Sequence, residues 1–159
     1  MENRITHPFE GKYLLFSIAG QVYGVGMKFV REVMNPFPLR LLRDGYPAVR
    51  GFLNLRGQDV PVVDLRRKLG MEEAEIHPGS SVLAVLARGW EGAQWMGLLV
   101  DGILQVAQFG TDDLEKVPEM EADPREGWLL GLARWQEQAV LLLDVNQVAR
   151  EEIETIQLV

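Results

Sequence analysis

The sequence contains no cysteine. That excludes a disulfide framework, a thiolate metal site and a cysteine nucleophile. It has only two histidines, His7 and His77, each followed by proline, and neither has a second ligand at metal-binding spacing. No apolar run approaches the roughly 20 residues that a transmembrane helix needs. The N-terminal stretch MENRITHPFEGK lacks the apolar segment of a secretory leader. Together these absences lead to an expected cytoplasmic location, without membrane insertion. Positive charge is also in deficit. The net charge is -7, and such a chain is repelled by phosphate backbones and anionic lipid. Arg40, Arg43, Arg50, Arg56, Arg66, Arg67 and Lys68 do crowd one third of the chain. They read as a solvated face balanced by the acidic C-terminal half rather than as a nucleic-acid site.

What remains is globular. Of the 159 residues, 47% are apolar and 25% charged, enough for one compact domain or for two small lobes sharing a core. The apolar residues come in short runs bounded by turn residues, which is strand patterning. Residues 1–11 read as a loose arm. YLLFSI (13–18) and VYGV (22–25) read as a hairpin. From Met27, Phe29, Val30, Val33 and Met34 recur at helical spacing until Pro36 stops the run, so FVREVM offers either a short helix or a bent strand. Val49–Leu55 and Asp59–Val63 flank an Arg56-Gly57 turn, and Leu65–Leu69 makes about one helical turn with Gly70 as its C-cap. A polar linker, MEEAEIHPGS (71–80), marks the best internal boundary. Beyond it lie a hairpin (SVLAVLAR and QWMGLLV), a strand (ILQVAQF), an acidic loop over 112–127, a hairpin around WQEQ and an amphipathic C-terminal tail. In that tail Val145, Ala149, Ile153 and Ile156 fall on one helical stripe.

The halves resemble each other. GFLNLRGQDVPVVDLRRKL (51–69) aligns without a gap over GLARWQEQAVLLLDVNQVA (131–149), matching Gly51 to Gly131, Val60 to Val140 and Asp64 to Asp144. YGVGMKFVREV (23–33) aligns over MGLLVDGILQV (96–106). The repeated order of elements points to a duplicated lobe, two small barrels side by side.

Three aspartates, Asp64, Asp101 and Asp144, end apolar strands. Converging carboxylates could bind a metal or carry acid–base work. No paired histidine, Ser-His pair or phosphate-binding glycine loop accompanies them. Asp64 and Asp144 each precede a helical turn and read better as N-caps. Trp90, Trp95, Trp128 and Trp135 lie in or beside the hairpins, where core and turn packing accounts for most of them. Arg56 projects from a turn and can grip a partner's carboxylate, or pair within the chain with Asp59 or Glu32. The apolar side of FVREVM fills the core, and any remainder walls a groove for a partner helix.

The string VRGFLNLRGQDVPVVDLRRKLG (49–70) resembles the signature of the CheW-like adaptor family of bacterial chemotaxis. LLFSIAGQVYGVGMKFVREV (14–33), MGLLVDGILQV (96–106) and GLARWQEQAVLLLDVNQV (131–148) resemble its other segments, in order. The resemblance implies a mainly β fold: two five-stranded SH3-like barrels around a shared core, with a short helix after strand 2 and a C-terminal helix. It implies a single CheW-like domain of two intertwined lobes over 12–149, followed by a helical tail over 150–159. It further implies an adaptor without catalytic residues, metal or cofactor, coupling the cytoplasmic tips of chemoreceptors to the regulatory domain of a CheA-type histidine kinase. The alternative is a CheW-like interaction module in twitching, gliding or another kinase pathway. By position, Arg56 and Gly57 match the family's partner-binding turn, Asn54 and Leu55 lie beside it, and Val30, Glu32 and Val33 match the segment near the receptor groove. Two departures stand out: Gly26 occupies a position that is often acidic, and Gln58-Asp59 is more polar than the family's usual pair.

Overall fold

The structure is a computed structural model in which residues 8–42, 48–72, 75–89, 92–117, 123 and 125–157 are described. The chain opens with an antiparallel hairpin of β1 (Gly11–Ile18) and β2 (Gln21–Gly26). Gly11, which the sequence assigns to the arm, already pairs with Phe109. A 3-10 turn over Met27–Phe29 then leads into β3 (Val30–Met34). Next come β4 (Arg40–Leu41), β5 (Val49–Leu55), β6 (Gln58–Asp64) and α1 (Leu65–Lys68). Strands β7 (Ser81–Gly89), β8 (Gly92–Val100) and β9 (Gly102–Phe109) follow. The chain ends with β10 (Leu114–Glu115), β11 (Leu129–Trp135), β12 (Gln138–Leu143), α2 (Val145–Val148) and α3 (Arg150–Gln157).

The strands form two sheets, ordered β10-β11-β12-β2-β1-β9 and β3-β7-β8-β6-β5-β4. Each has five strands of at least five residues plus one two-residue strand at its edge, and the pairing is open rather than closed into a ring. The N-terminal hairpin belongs to the sheet built by the C-terminal strands, so the two lobes are intertwined in sequence.

The duplication extends to individual pairings. Strand β6 runs parallel to β8 with Val62 against Gly97, and β12 runs parallel to β2 with Leu142 against Gly24. The β5–β6 pair shifts register between Val49 and Gly51, and the β11–β12 pair between Leu129 and Gly131. In the β3–β7 pair, Val30 faces Val85 and Glu32 faces Ala84. In the β9–β1 pair, Ile103 faces Phe16 and Gln105 faces Leu15. The extra residue is Arg31 in one bulge and Leu104 in the other. Every pairing of one sheet therefore has its counterpart in the other.

FVREVM takes the bent strand of its two readings. Val30, Glu32 and Met34 are half-buried and Arg31 and Val33 exposed, which is strand alternation and not a helical stripe. The β-branched valines suit a strand, and β7 supplies the ladder hydrogen bonds.

One core is shared. Phe16, Tyr23 and Val25 from the first sheet meet Leu83, Met96 and Leu98 from the second, closed over by Val145, Val148 and Ile153 of the C-terminal helices. Fully burying each such large side chain contributes roughly 1.5–3 kcal/mol. Val145, Ala149 and Ile153 of the expected stripe are buried here. Nothing among the described residues forms a helix long and apolar enough to cross a membrane.

Candidate functional site

The Arg56-Gly57 turn follows from its chemistry. Both residues have positive φ, 52° and 86°, the two-residue hairpin geometry whose twist matches its strands. Gly57 adopts this conformation without a Cβ penalty, and its N–H donates to Asn54 Oδ1 at 3.0 Å. Asn54 is exposed and serves the turn. Leu55 is buried and anchors it, packing with Val60 and Ala84 against Met34 and Trp95. The turn thus rests on a small apolar cluster while Arg56 stands away from the surface, its side chain 68% exposed.

Of the two intramolecular partners open to Arg56, the structure selects Glu32. Arg56 Nε lies 3.9 Å from Glu32 Oε1, close enough for an ion pair and too far for a hydrogen bond. Asp59 instead pairs with Arg40 at 2.6 Å. Glu32 Oε1 is out of contact with solvent and receives no hydrogen bond from the described residues. Val30 packs against the shared core, whereas Val33 is 48% exposed on the outer side of β3. Arg31, also outward, lies over the Trp95 ring at 5.8 Å. The seven residues singled out from the sequence therefore divide by role. Arg56 and Val33 offer charge and apolar area outward, the half-buried Glu32 tethers Arg56, and Gly57, Asn54, Leu55 and Val30 shape and support the turn and strand.

The three strand-end aspartates do not converge. Asp64 caps α1 by accepting from Arg66 N–H at 2.9 Å and also holds the buried Arg50 at 2.9 Å. Asp144 caps α2 by accepting from Asn146 N–H at 3.0 Å. Their own N–H groups donate to the carbonyls of Ala48 and Trp128, each at 2.7 Å, another repeat of the duplication. Asp101 caps no helix. It takes a bidentate contact from Arg66, at 2.9 and 2.6 Å, and accepts from Ala19 N–H at 2.7 Å. It thereby ties α1 and the β8–β9 junction to the β1–β2 turn. Partial burial pushes the Asp101 carboxyl up, but the bonds from Arg66 and Ala19 outweigh this and hold it below its ordinary value.

The basic third of the chain is likewise consumed in ion pairs. Arg40, Arg50, Arg56, Arg66 and Lys68 each face a carboxylate, and Arg43 lies outside the described residues, as does Trp90. Sequence reasoning missed the Arg66–Asp101 and Lys68–Glu152 pairs, because their partners are far apart in the chain and no local spacing announces them. No group of acidic and histidine side chains suited to a metal occurs among the described residues. A cleft of ≈ 440 Å³ opens between the start of β1, the 3-10 turn and α2, with Lys12 and Lys28 on its walls, but none of the seven residues lines it.

Comparison with known proteins adds the following. Residues 12–152 match the family profile described as CheW-like domain. Chemotaxis protein CheW of Rhizobium meliloti is 25% identical over 154 residues, covering 96% of this chain and 97% of that protein. Chemotaxis protein CheW of Klebsiella aerogenes is 23% identical over 141 residues, covering 89% and 82%. Among solved structures, the scaffolding protein TtCheW from Thermoanaerobacter tengcongensis superposes with a TM-score of 0.75 at 22% identity, covering 88% of this chain and 92% of that one. This last likeness bears on the fold.

Proposed function

The chain belongs to the family of CheW-like domains, and from that membership we propose that it is a non-catalytic adaptor of a chemosensory array, coupling chemoreceptor cytoplasmic tips to a CheA-type histidine kinase in the cytoplasm. Residues 12–149 act in this reading as one two-lobed domain. The observation that carries it is the outward Arg56 on a two-residue hairpin turn, tethered only by its 3.9 Å contact with Glu32, together with Val33 exposed on β3. Such a surface is built to be covered. A partner carboxylate takes the Arg56 fork in exchange for its long contact with Glu32, and Val33 is desolvated. Asn54, Leu55, Gly57 and Val30 hold that surface in place. The mechanism is geometric: an adaptor that grips receptor and kinase together lets receptor state bias kinase activity through contacts that differ between the two states.

Purified receptor-tip fragment and kinase regulatory domain are offered to the wild type and to Arg56→Ala. A charge-assisted contact contributes about 1.5–3 kcal/mol, so the substitution weakens capture of one partner by about tenfold or more. Capture of neither partner by the folded wild type removes the adaptor reading and favours an interaction module of another pathway.

A further inference from the structure

The internal duplication makes the two crossovers between the sheets comparable residue by residue. β2 passes to β3 through Met27–Phe29, as β8 passes to β9 through Asp101. The shared bulge aligns Val30 with Ile103, so Lys28 stands where Asp101 stands. Val85 and Phe16 face those two residues, which aligns Arg88 with Ala19. The two helix caps, Asp64 and Asp144, align Arg66 with Asn146.

At the β8–β9 crossover the charges are matched. Asp101 takes both Arg66 bonds and the Ala19 N–H. At the β2–β3 crossover the equivalent backbone bond survives and the charge pair does not. Arg88 N–H donates to Asn146 Oδ1 at 2.8 Å, so an amide replaces the arginine. Lys28 replaces the acid. Its Nζ lies 5.1 Å from the centre of the Phe29 ring, and among the described residues no carboxylate forms an ion pair with it.

The cleft of ≈ 440 Å³ opens at this crossover, and Lys28 and Asn146 both line it. That volume is in the range of small-molecule sites. Lys12 lines it too, beside Tyr13, whose strand partner is Gly26, two residues before Lys28. Lys12 likewise has no ion pair among the described residues, and Gly26 carries no side chain to neutralise either lysine. Two carboxylates share the walls, and each is engaged. Glu10 Oε1 accepts from Thr111 N–H at 2.6 Å, and Asp144 Oδ1 accepts from Asn146 N–H and Gln147 N–H. The Lys12 and Lys28 ammonium groups and the Asn146 amide are left as donors without an acceptor among the described residues. Phe9 and Phe29 add apolar wall beside them.

We propose that this cleft binds a small phosphate monoester with an aromatic or aliphatic body, its phosphoryl group held by Lys12, Lys28 and the Asn146 amide and its body lodged against Phe9 and Phe29. Two ammonium groups match a dianion, and donors from three elements suit its three oxygens. The anion supplies at this crossover the negative charge that Asp101 supplies at the other. The ligand is a free molecule and not a lipid headgroup, because a chain of net charge -7 is repelled by an extended anionic surface. The site shares no residue with the Arg56 surface and stands or falls apart from the adaptor reading.

The test titrates the full, isotopically labelled chain with 1-naphthyl phosphate and follows its amide resonances. Saturable shifts confined to residues around Lys12, Gly26–Phe29 and Asn146 are expected. Lys12→Ala and Lys28→Ala each weaken binding about tenfold, as for loss of one charge-assisted contact. Gly26→Asp keeps both lysines and places a carboxylate between them and the ligand. Its backbone φ of -55° suits any residue, and its Cβ would meet only the Phe29 ring, so it folds and loses binding. No saturable shift in the wild type, or binding unchanged in Lys28→Ala and Gly26→Asp, overturns the site. Inorganic phosphate binding as tightly as the naphthyl ester overturns the role of the apolar wall. Equal binding of 1-naphthoate overturns the phosphoryl assignment. Retention on mixed phosphatidylglycerol–phosphatidylcholine vesicles that is lost in Lys28→Ala overturns the free ligand in favour of a headgroup. Capture of receptor tip and kinase by these variants stays at the wild-type level, so failure of this site leaves the Arg56 surface untouched.

Discussion

Replacing Lys68 by methionine is the sharpest probe of how the C-terminal helix is held. Lys68 Nζ donates to the Val148 carbonyl at 2.6 Å and to Glu152 Oε2 at 2.8 Å, and sits 5.3 Å from the centre of the Trp128 ring. Both charged side chains are only 6% exposed. The pair joins α1 to the α2–α3 segment. Methionine keeps the aliphatic stem and removes the charge. It leaves the Glu152 carboxylate buried without its cation and the Val148 carbonyl without its donor. Breaking a buried pair from one side costs about 3–5 kcal/mol. For a chain of this size 1 kcal/mol corresponds to roughly 2–4 °C, so Lys68→Met lowers Tm by about 6–20 °C. Adding Glu152→Leu removes the stranded carboxylate. An apolar replacement of a buried pair is often neutral or better, so the double variant recovers most of the loss. Urea denaturation of wild type, both single variants and the double variant closes the cycle. Amide exchange in α3 separates global loss from release of the helix, in which Glu152 escapes to water and the exchange of 150–157 accelerates alone. A single-variant loss below about 1 kcal/mol with α3 still protected would refute the reasoning, because the pair would then not be buried and coupled as its geometry requires.

Two further predictions rest on other contacts. Asp101 is held below its ordinary carboxylate value in the folded chain, so its contribution to stability is present above the unfolded value near about pH 4 and is lost as pH falls through the folded value. Asp101→Asn flattens that part of the acid limb of a stability–pH curve, and an unchanged limb contradicts the assignment. At Gly51 a methyl group would run into the backbone carbonyl of Arg40, whereas at the equivalent Gly131 it would stand 3.2 Å from the Glu115 carbonyl. Gly51→Ala therefore costs more than the about 1–3 kcal/mol typical of overpacking, and Gly131→Ala costs less. Chemical denaturation of the two variants side by side reads the difference, and equal losses would mean β4 moves aside freely.

Much of the fold was legible along the chain, for identifiable reasons. A two-residue hairpin turn is a local event, so Arg56-Gly57 between two apolar runs announced itself, and so did Gln136-Glu137 once the halves were aligned. An aspartate before a helical turn meets orphan N–H groups within three residues, which is why Asp64 and Asp144 read as caps and are caps. The 23–33 segment was harder. Its valines have spacings that suit a helix or a bent strand equally, and the choice lies with β7, more than forty residues away, whose backbone groups complete the ladder.

The sequence by itself determined the strand pattern, the caps and the turn that carries Arg56, because each is written in residues a few positions apart, and the duplication, because the same order of residue types recurs in both halves. The tertiary structure alone decided which charges meet. Arg56 turns to Glu32 and not to the nearer Asp59, Arg66 reaches Asp101, and Lys68 finds Glu152. It also decided that Leu104 and Val106 stay exposed on an edge while Val30 sinks against the core. Charge pairing and burial depend on distance in space, and for partners this far apart in the chain that distance is set by how the two sheets curl around their shared core.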